Sequence, residues 1–171
     1  MFAAYFRTLA AYNRWANEAV YGAVAALPAG EFEKPRQAFF GSIQGTLNHI
    51  LVADRSWRAR IEEVAPPALT LDQILYADFA DLRAARIEED ARLIDLCAGL
   101  TEERIAGDLS YRNMAGKPFT TPLSEVLGHL FNHQTHHRGQ VHDMLSQAGV
   151  EPPALDLIYF TRSAARDAAR A

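Results

Sequence analysis

Gly128-His-Leu-Phe-Asn-His-Gln-Thr-His-His-Arg-Gly-Gln-Val141 holds four of the chain's six histidines, at 129, 133, 136 and 137. On a helix, His133 and His137 stand one turn apart and point the same way, the geometry two imidazoles need to share one metal ion. His129 and His136 compete for that role, and the apolar positions decide between the pairs. Val126, Leu130, Val141 and Met144 form a stripe that passes through 133 and 137 and leaves 129 and 136 to one side. His133 and His137 are therefore expected to face the core, where a neutral imidazole needs a hydrogen-bond partner or a metal to offset its desolvation. A third ligand should then come from elsewhere in the chain.

Working outward, 171 residues with 49% hydrophobic and 22% charged content and a net charge of −4 describe an ordinary soluble globular chain of one domain. No basic face offers itself to nucleic acid, and no apolar run approaches the roughly 20 residues of a membrane span. The N-terminus lacks the charged-then-apolar order of a signal peptide, so a cytoplasmic location is expected. The lone Cys97 sits among Leu93, Leu96 and Leu100 and reads as a buried structural thiol.

At the start of the chain, Phe2, Phe6, Leu9, Asn13, Ala16, Val20, Ala23 and Leu27 recur at helical spacing, predicting a long amphipathic helix that ends near Pro28-Ala-Gly30. Asn13, the polar member of that stripe, is expected to hydrogen-bond in the core or near a site, or to fix helix register. Trp15 reads as packing. Residues 31–41, with Phe32, Pro35, Phe39 and Phe40, break any period and should connect across one end of a bundle.

Ser42 reads as an N-cap, and a second helix is expected to run to about Val64 on an inner stripe of Ile43, Leu47, Ile50, Asp54, Trp57 and Ile61. His49 lies beside that stripe with Thr46 and Ala53. An isolated histidine there is structural by default, but a pair that wants a third donor makes His49 a candidate ligand. Asp54, a carboxylate on a buried stripe, is expected in a salt bridge with Arg55, Arg58 or another helix, ahead of a role as proton acceptor at a site.

Pro66-Pro67 ends the second helix, and Thr70 with Gln73 resembles a capping box opening a short helical segment. A third long helix is predicted from Asp78 to Gly99, with Arg83, Arg86, Glu88, Glu89, Asp90 and Arg92 on a solvated, ion-paired face. Leu109 to Thr120 alternates around Asn-Met-Ala-Gly and reads as a small hairpin lying on the bundle. Thr121-Pro122 then opens the histidine helix, which should stop at Gly149. A last short helix is expected from Leu155 to about Ala169, packing through Leu157, Ile158 and Phe160.

Three segments together resemble the DinB family, within the wider DinB/YfiT-like group of metalloenzymes. They are Tyr12-Asn-Arg-Trp-Ala-Asn17, Leu47-Asn-His-Ile-Leu-Val-Ala-Asp54 with Trp57, and Asn132-His-Gln-Thr-His-His-Arg-Gly-Gln140. The resemblance covers nearly the whole chain. It implies an up-down-down-up four-helix bundle, often a homodimer; with the hairpin before the fourth long helix and the short extra helix after it, both read from the residues above, the expected fold is all-α. It also implies a divalent metal on His49, His133 and His137; the roles of Arg138 and Gln140 stay open.

Three histidines leave a coordination position for water or a small-molecule substrate, the layout of catalytic rather than structural sites. The first expectation is a thiol-dependent S-transferase, since some relatives use low-molecular-weight thiols. A hydrolase working through a metal-activated water is the second, with Asp54 a distant candidate to assist proton transfer, and a non-catalytic metal-binding stress-response protein the third. Zinc or nickel is expected before iron, and copper suits three imidazoles too.

Overall fold

The computed structural model describes residues 1–168 and contains α1 (Phe2–Val24), α2 (Ile43–Ile61), α3 (Phe79–Gly99), α4 (Glu102–Ala106), β1 (Asp108–Arg112), β2 (Pro118–Pro122), α5 (Leu123–Gln147) and α6 (Leu157–Ala168). The predicted Ala169 end of the last helix lies outside the described residues. Local signals set most boundaries. The Ser42 hydroxyl accepts from Gly45 N at 2.9 Å to open α2, and the Asp78 carboxylate accepts from Ala80 N and Asp81 N to open α3.

Two helices close the same way. After α5, Gly149 at φ 75° lets its own N–H reach Ser146 O and that of Val150 reach Leu145 O, satisfying carbonyls the helix leaves free. After α2, Glu63 takes that left-handed place at φ 58°, with Glu63 N on Arg60 O and Val64 N on Ala59 O. This ends α2 at Ile61, before the expected Val64. Helix α1 likewise stops at Val24, short of Pro28, where the chain tightens into turns from Ala26 N to Ala23 O and Leu27 N to Val24 O.

The expected short helix after Thr70 does not form. Gln73 does reach back to Thr70 N at 3.3 Å, but α2 captures the backbone beyond it: Asn48 bonds both Tyr76 N and Tyr76 O, and Gln44 bonds Ala77 O. Those groups are satisfied in extended chain and no longer need a helix. Helix α4 was not expected; Thr101 caps it through Arg104 N, and its Glu102 carboxylate in turn receives Phe2 N and Ala3 N at the start of α1.

The direction of the long helices follows from which residues meet. Phe6 stacks near Phe131 and Asn13 bonds Arg138, so α1 and α5 run together. Trp57 lies on His129 and Asp54 meets Gln134, so α2 opposes α5. Asp54 pairs with Arg86 and Arg58 with Glu89, so α2 and α3 run together. The bundle is up-down-down-up. The hairpin pairs Asp108 with Pro122 through Arg112 with Pro118, turns over Asn113 and Gly116, and sinks Leu109 into the bundle. Helix α6 docks through Phe160 on Tyr12 and Trp15; Ile158, expected to pack, is exposed because Phe160 takes the inward place.

The interior has two apolar clusters, one around Phe6, Leu93, Cys97 and Leu127, the other around Val20, Leu47, Leu82 and Met144. Between them lies a polar layer with Asn13 and Asn17 from α1, Asp54 from α2, Arg86 and Asp90 from α3, and Gln134 and Arg138 from α5, all buried. Arg86 lies 2.5 Å from Asp54 and 3.1 Å from Asp90, Asn17 donates to Asp90 at 2.9 Å, and Arg138 donates to Asn13, Asn17 and Gln134. Two carboxylates thus face two guanidinium groups.

This corrects half of the solvated face assigned to α3: Arg86, Glu89 and Asp90 are buried along with Leu82, Leu93 and Cys97, whereas Arg83, Glu88 and Arg92 are exposed and Arg92 pairs with Glu88 as expected. Charges can sit on a core stripe when neighbouring helices supply opposite charges at contact distance. Asn13 and Asp54 belong to the layer, as expected of a core hydrogen bond and a salt bridge to another helix.

Candidate metal centre

Helices α2 and α5 lie side by side and antiparallel, which brings His49 against His133 and His137. One nitrogen from each lies within 4.8 Å of the other two, and His49 Nε2 is 3.0 Å from His133 Nε2. Two nitrogens on one tetrahedral zinc ion are about 3.3 Å apart, so these three imidazoles fit a shared ion. His129 and His136 stand outside this group: the first lies against Trp57, the second beside His137.

Neighbouring acceptors aim the rings. His49 Nδ1 lies 2.8 Å from the Leu71 carbonyl, which can only accept, so Nδ1 carries the proton and Nε2 keeps its lone pair. His137 Nδ1 lies 2.8 Å from Gln140 Oε1, with the same result, and the other end of that amide meets His136 Nε2 at 3.2 Å. Gln140, left open in the sequence, is an orienting residue. His133 Nδ1 is buried with no partner among the described residues. Burial and the neighbouring histidines push His133 down to about 3; burial pushes His137 down to about 4 and lowers His49. All three are thereby held in the neutral form a metal requires.

The stripe through α5 differs from the one expected. Gln134, His137 and Arg138 are buried, whereas His133 is half-buried at the edge. The helix period leads from Leu130 to Gln134 and Arg138, so the innermost places belong to the polar layer. His137 is buried as expected, on the side toward α2, while His133 reaches α2 from the half-buried edge. Arg138 turns away from the centre, over the Tyr12 ring. Asp54 is sealed in the layer, where burial, against the opposing pull of Arg86, raises its carboxyl to about 7.

One side of the centre is covered by Phe40, whose ring stacks on His49 at 3.7 Å between centroids. Its backbone passes so close to α2 that a Cβ at Gly45 would overlap the Phe40 carbonyl oxygen, so this position demands glycine. The other side opens into a cavity of about 570 Å³ that His49 and His133 line together with Leu71, Trp57, Tyr111 and Arg60. Among the described residues no Asp or Glu lines it. A second cavity, about 590 Å³, lies between α1 and α5 by Tyr12 and Phe131, and none of the three histidines lines it. No described helix is long and apolar enough to cross a membrane.

Arg60 and Leu71 escaped the sequence reading as parts of this site. The signal for Arg60 was its place eleven residues after His49, on the face that also carries Ala53 and Trp57. Leu71 contributes a backbone carbonyl, which no side-chain pattern announces.

Comparison with known proteins agrees with this architecture. Protein DinB of Bacillus subtilis (strain 168) is 32% identical over 149 residues, covering 81% of this chain and 83% of that protein. A crystal structure of a DinB-like protein from Bacillus cereus ATCC 10987 superposes with a TM-score of 0.59 at 18% identity, covering 81% of this chain and 89% of that one, and shows the shared fold. With the DinB family model matching residues 1–169 as well, the chain belongs to the DinB family.

Proposed function

We propose that His49, His133 and His137 hold a divalent metal ion, zinc or nickel before iron, and that the protein is a metal-dependent enzyme using a low-molecular-weight thiol, an S-transferase. The observation that carries this is the cavity: it begins at His49 and His133, and its charged wall is a guanidinium rather than a carboxylate. A dipositive ion on three neutral ligands supplies a Lewis-acidic position that favours an anion, and a thiol, with a free pKa of about 8.5, ionises far more readily than water at about 15.7.

The protein's own part is to prepare that position. Leu71 O and Gln140 Oε1 fix two imidazoles in one tautomer, and Phe40 closes the side away from the cavity. Leu71, Trp57 and Tyr111 give that position apolar walls, against which electrostatic interactions are stronger than in bulk water. A hydrolase would call for a base within reach of the metal, and the nearest buried carboxylate considered for it, Asp54, is engaged by Arg86 and Gln134 in the core.

Cobalt(II) substitution tests the reading. Glutathione, bacillithiol or mycothiol added to the cobalt protein should produce a sulfur-to-cobalt charge-transfer band in the near ultraviolet. If none of them perturbs the spectrum at millimolar concentration while acetate or phosphate does, the hydrolase becomes the better reading. We also propose a homodimer, supported by apolar side chains exposed on α1 and α3 (Phe2, Tyr5, Ile87). Sedimentation at the 19.0 kDa chain mass at micromolar protein would reject it.

A further inference from the structure

His49, Ala53, Trp57 and Arg60 follow one another on a single face of α2, and all four line the 570 Å³ cavity. Ala53 is small and leaves the floor between His49 and Trp57 open. Arg60 stands eleven residues beyond His49, about 16 Å along the helix axis, and helix side chains lean toward the N-terminus, here toward the histidines.

The guanidinium lies over the Trp57 ring at 4.7 Å and near the Tyr111 ring at 5.7 Å. Its Nε donates to Arg112 O at 3.2 Å, and neither Nη donates to any described residue. Every other arginine on α2 pairs with a carboxylate: Arg55 and Arg58 reach Glu89, and Arg58 also reaches Glu62. Arg60 has no carboxylate partner among the described residues, although it is half-buried. A cation stacked on two aromatic rings, with its forked end free and an apolar cavity before it, is built to receive an anion that carries an apolar body.

We propose that Arg60 is a specificity-determining residue, and that the substrate entering this cavity is an elongated molecule with an apolar portion and a carboxylate, the carboxylate held by the Arg60 fork. The apolar portion lies between Leu71, Trp57, Tyr111 and Phe119 while the far end reaches toward His49 and His133. This rests on reading the cavity as the substrate site of the metal centre, but the recognition itself belongs to Arg60 and needs no metal.

Calorimetric titration of the full chain, zinc-loaded and chelator-treated, with 4-phenylbutanoate and its neutral amide separates the two ideas. In the metal-free protein the carboxylate should bind about tenfold more tightly than the amide, as a charged hydrogen-bonded pair allows. Arg60→Met should erase that preference and leave amide binding within about twofold of the parent. Arg60→Lys, which keeps the charge without the fork, should retain part of it and carries the test if Arg60→Met does not fold. His133→Ala should keep the preference while losing the metal. Equal affinity for the two probes, binding of neither at millimolar concentration, or a parallel loss of both in Arg60→Met would overturn the proposal. Loss of the cobalt–thiol band with the carboxylate preference intact would overturn the transferase reading alone.

Discussion

Helix α5 carries two polar pairs at the same i, i+4 spacing, set one residue apart, and they meet opposite surroundings. Gln134 and Arg138 turn inward, where Asp54, Asp90 and Arg86 complete a balanced layer. His133 and His137 turn toward α2, where they meet another histidine, and the one contact among their ring nitrogens, His49 Nε2 to His133 Nε2 at 3.0 Å, can use only one donor and one acceptor of the three rings. Burial alone therefore says little about purpose. What separates the regions is the kind of partner: the layer sets carboxylates against guanidinium groups and amides, whereas the histidines gather one ring nitrogen each around a common point with no opposite charge among them. The first arrangement is what a fold needs, and the second is what an external ion needs.

The sharpest break comes in the layer. Asp54→Ala leaves Arg86 beside a void and should destabilise the chain by about 3–5 kcal/mol, seen as a lower denaturant midpoint. The metal content of the chains that remain folded should not change. If instead metal is lost while stability holds, the two regions have been assigned the wrong way round.

Next in size is the reverse experiment. His49→Ala, His133→Ala and His137→Ala should each weaken metal binding by at least about a hundredfold in chelator competition, with little effect on the stability of metal-free protein. His129→Ala and His136→Ala serve as controls, and equal retention of metal in all five variants would dismiss the centre.

A smaller effect sharpens the role of orientation. Gln140→Ala frees His137 Nδ1 without removing a ligand and should cost about tenfold in metal affinity. No change would mean that α5 alone aims the ring.

The last effect is a slope, spread over several pH units. His133 and His137 titrate in the folded chain at about 3 and 4, below the ordinary 6.5, because burial disfavours their charged forms. The unfolded chain therefore binds more protons at intermediate pH, so their contribution to stability is present above about 6.5 and is lost as pH falls toward 4 and 3. Urea midpoints of metal-free protein should decline across that window, and less steeply in the His133→Ala His137→Ala double variant. Identical slopes would remove the histidines from the acid response.

The sequence made the bundle legible because its stripes are long and its caps conventional; Ser42 and Gly149 behave as their residue types predict. The histidine pair was legible too, since spacing on one helix needs no tertiary knowledge. Arg86, Glu89 and Asp90 were misplaced because a charge on a stripe looks like a surface charge until its partners on other helices are known, and those partners lie 31 to 77 residues away in sequence. The Thr70 segment misled for a related reason, because Asn48 on α2 holds its backbone from a distance. The orienting carbonyl of Leu71 had no trace in the side-chain pattern at all.

The hairpin has a consequence for how such a protein diversifies. Its root is anchored by Leu109, but the tip residues Met114 and Ala115, together with Phe119, line the cavity while remaining exposed, beside a half-buried Asn113. Substitutions there alter the shape offered to an incoming molecule and disturb almost no packing, whereas the histidines are carried by helices whose interiors tolerate little change. Inheritance can thus preserve the chemistry in the bundle and vary the clientele at a two-stranded edge, so descendants of one ancestor need differ by only a few residues to serve different molecules.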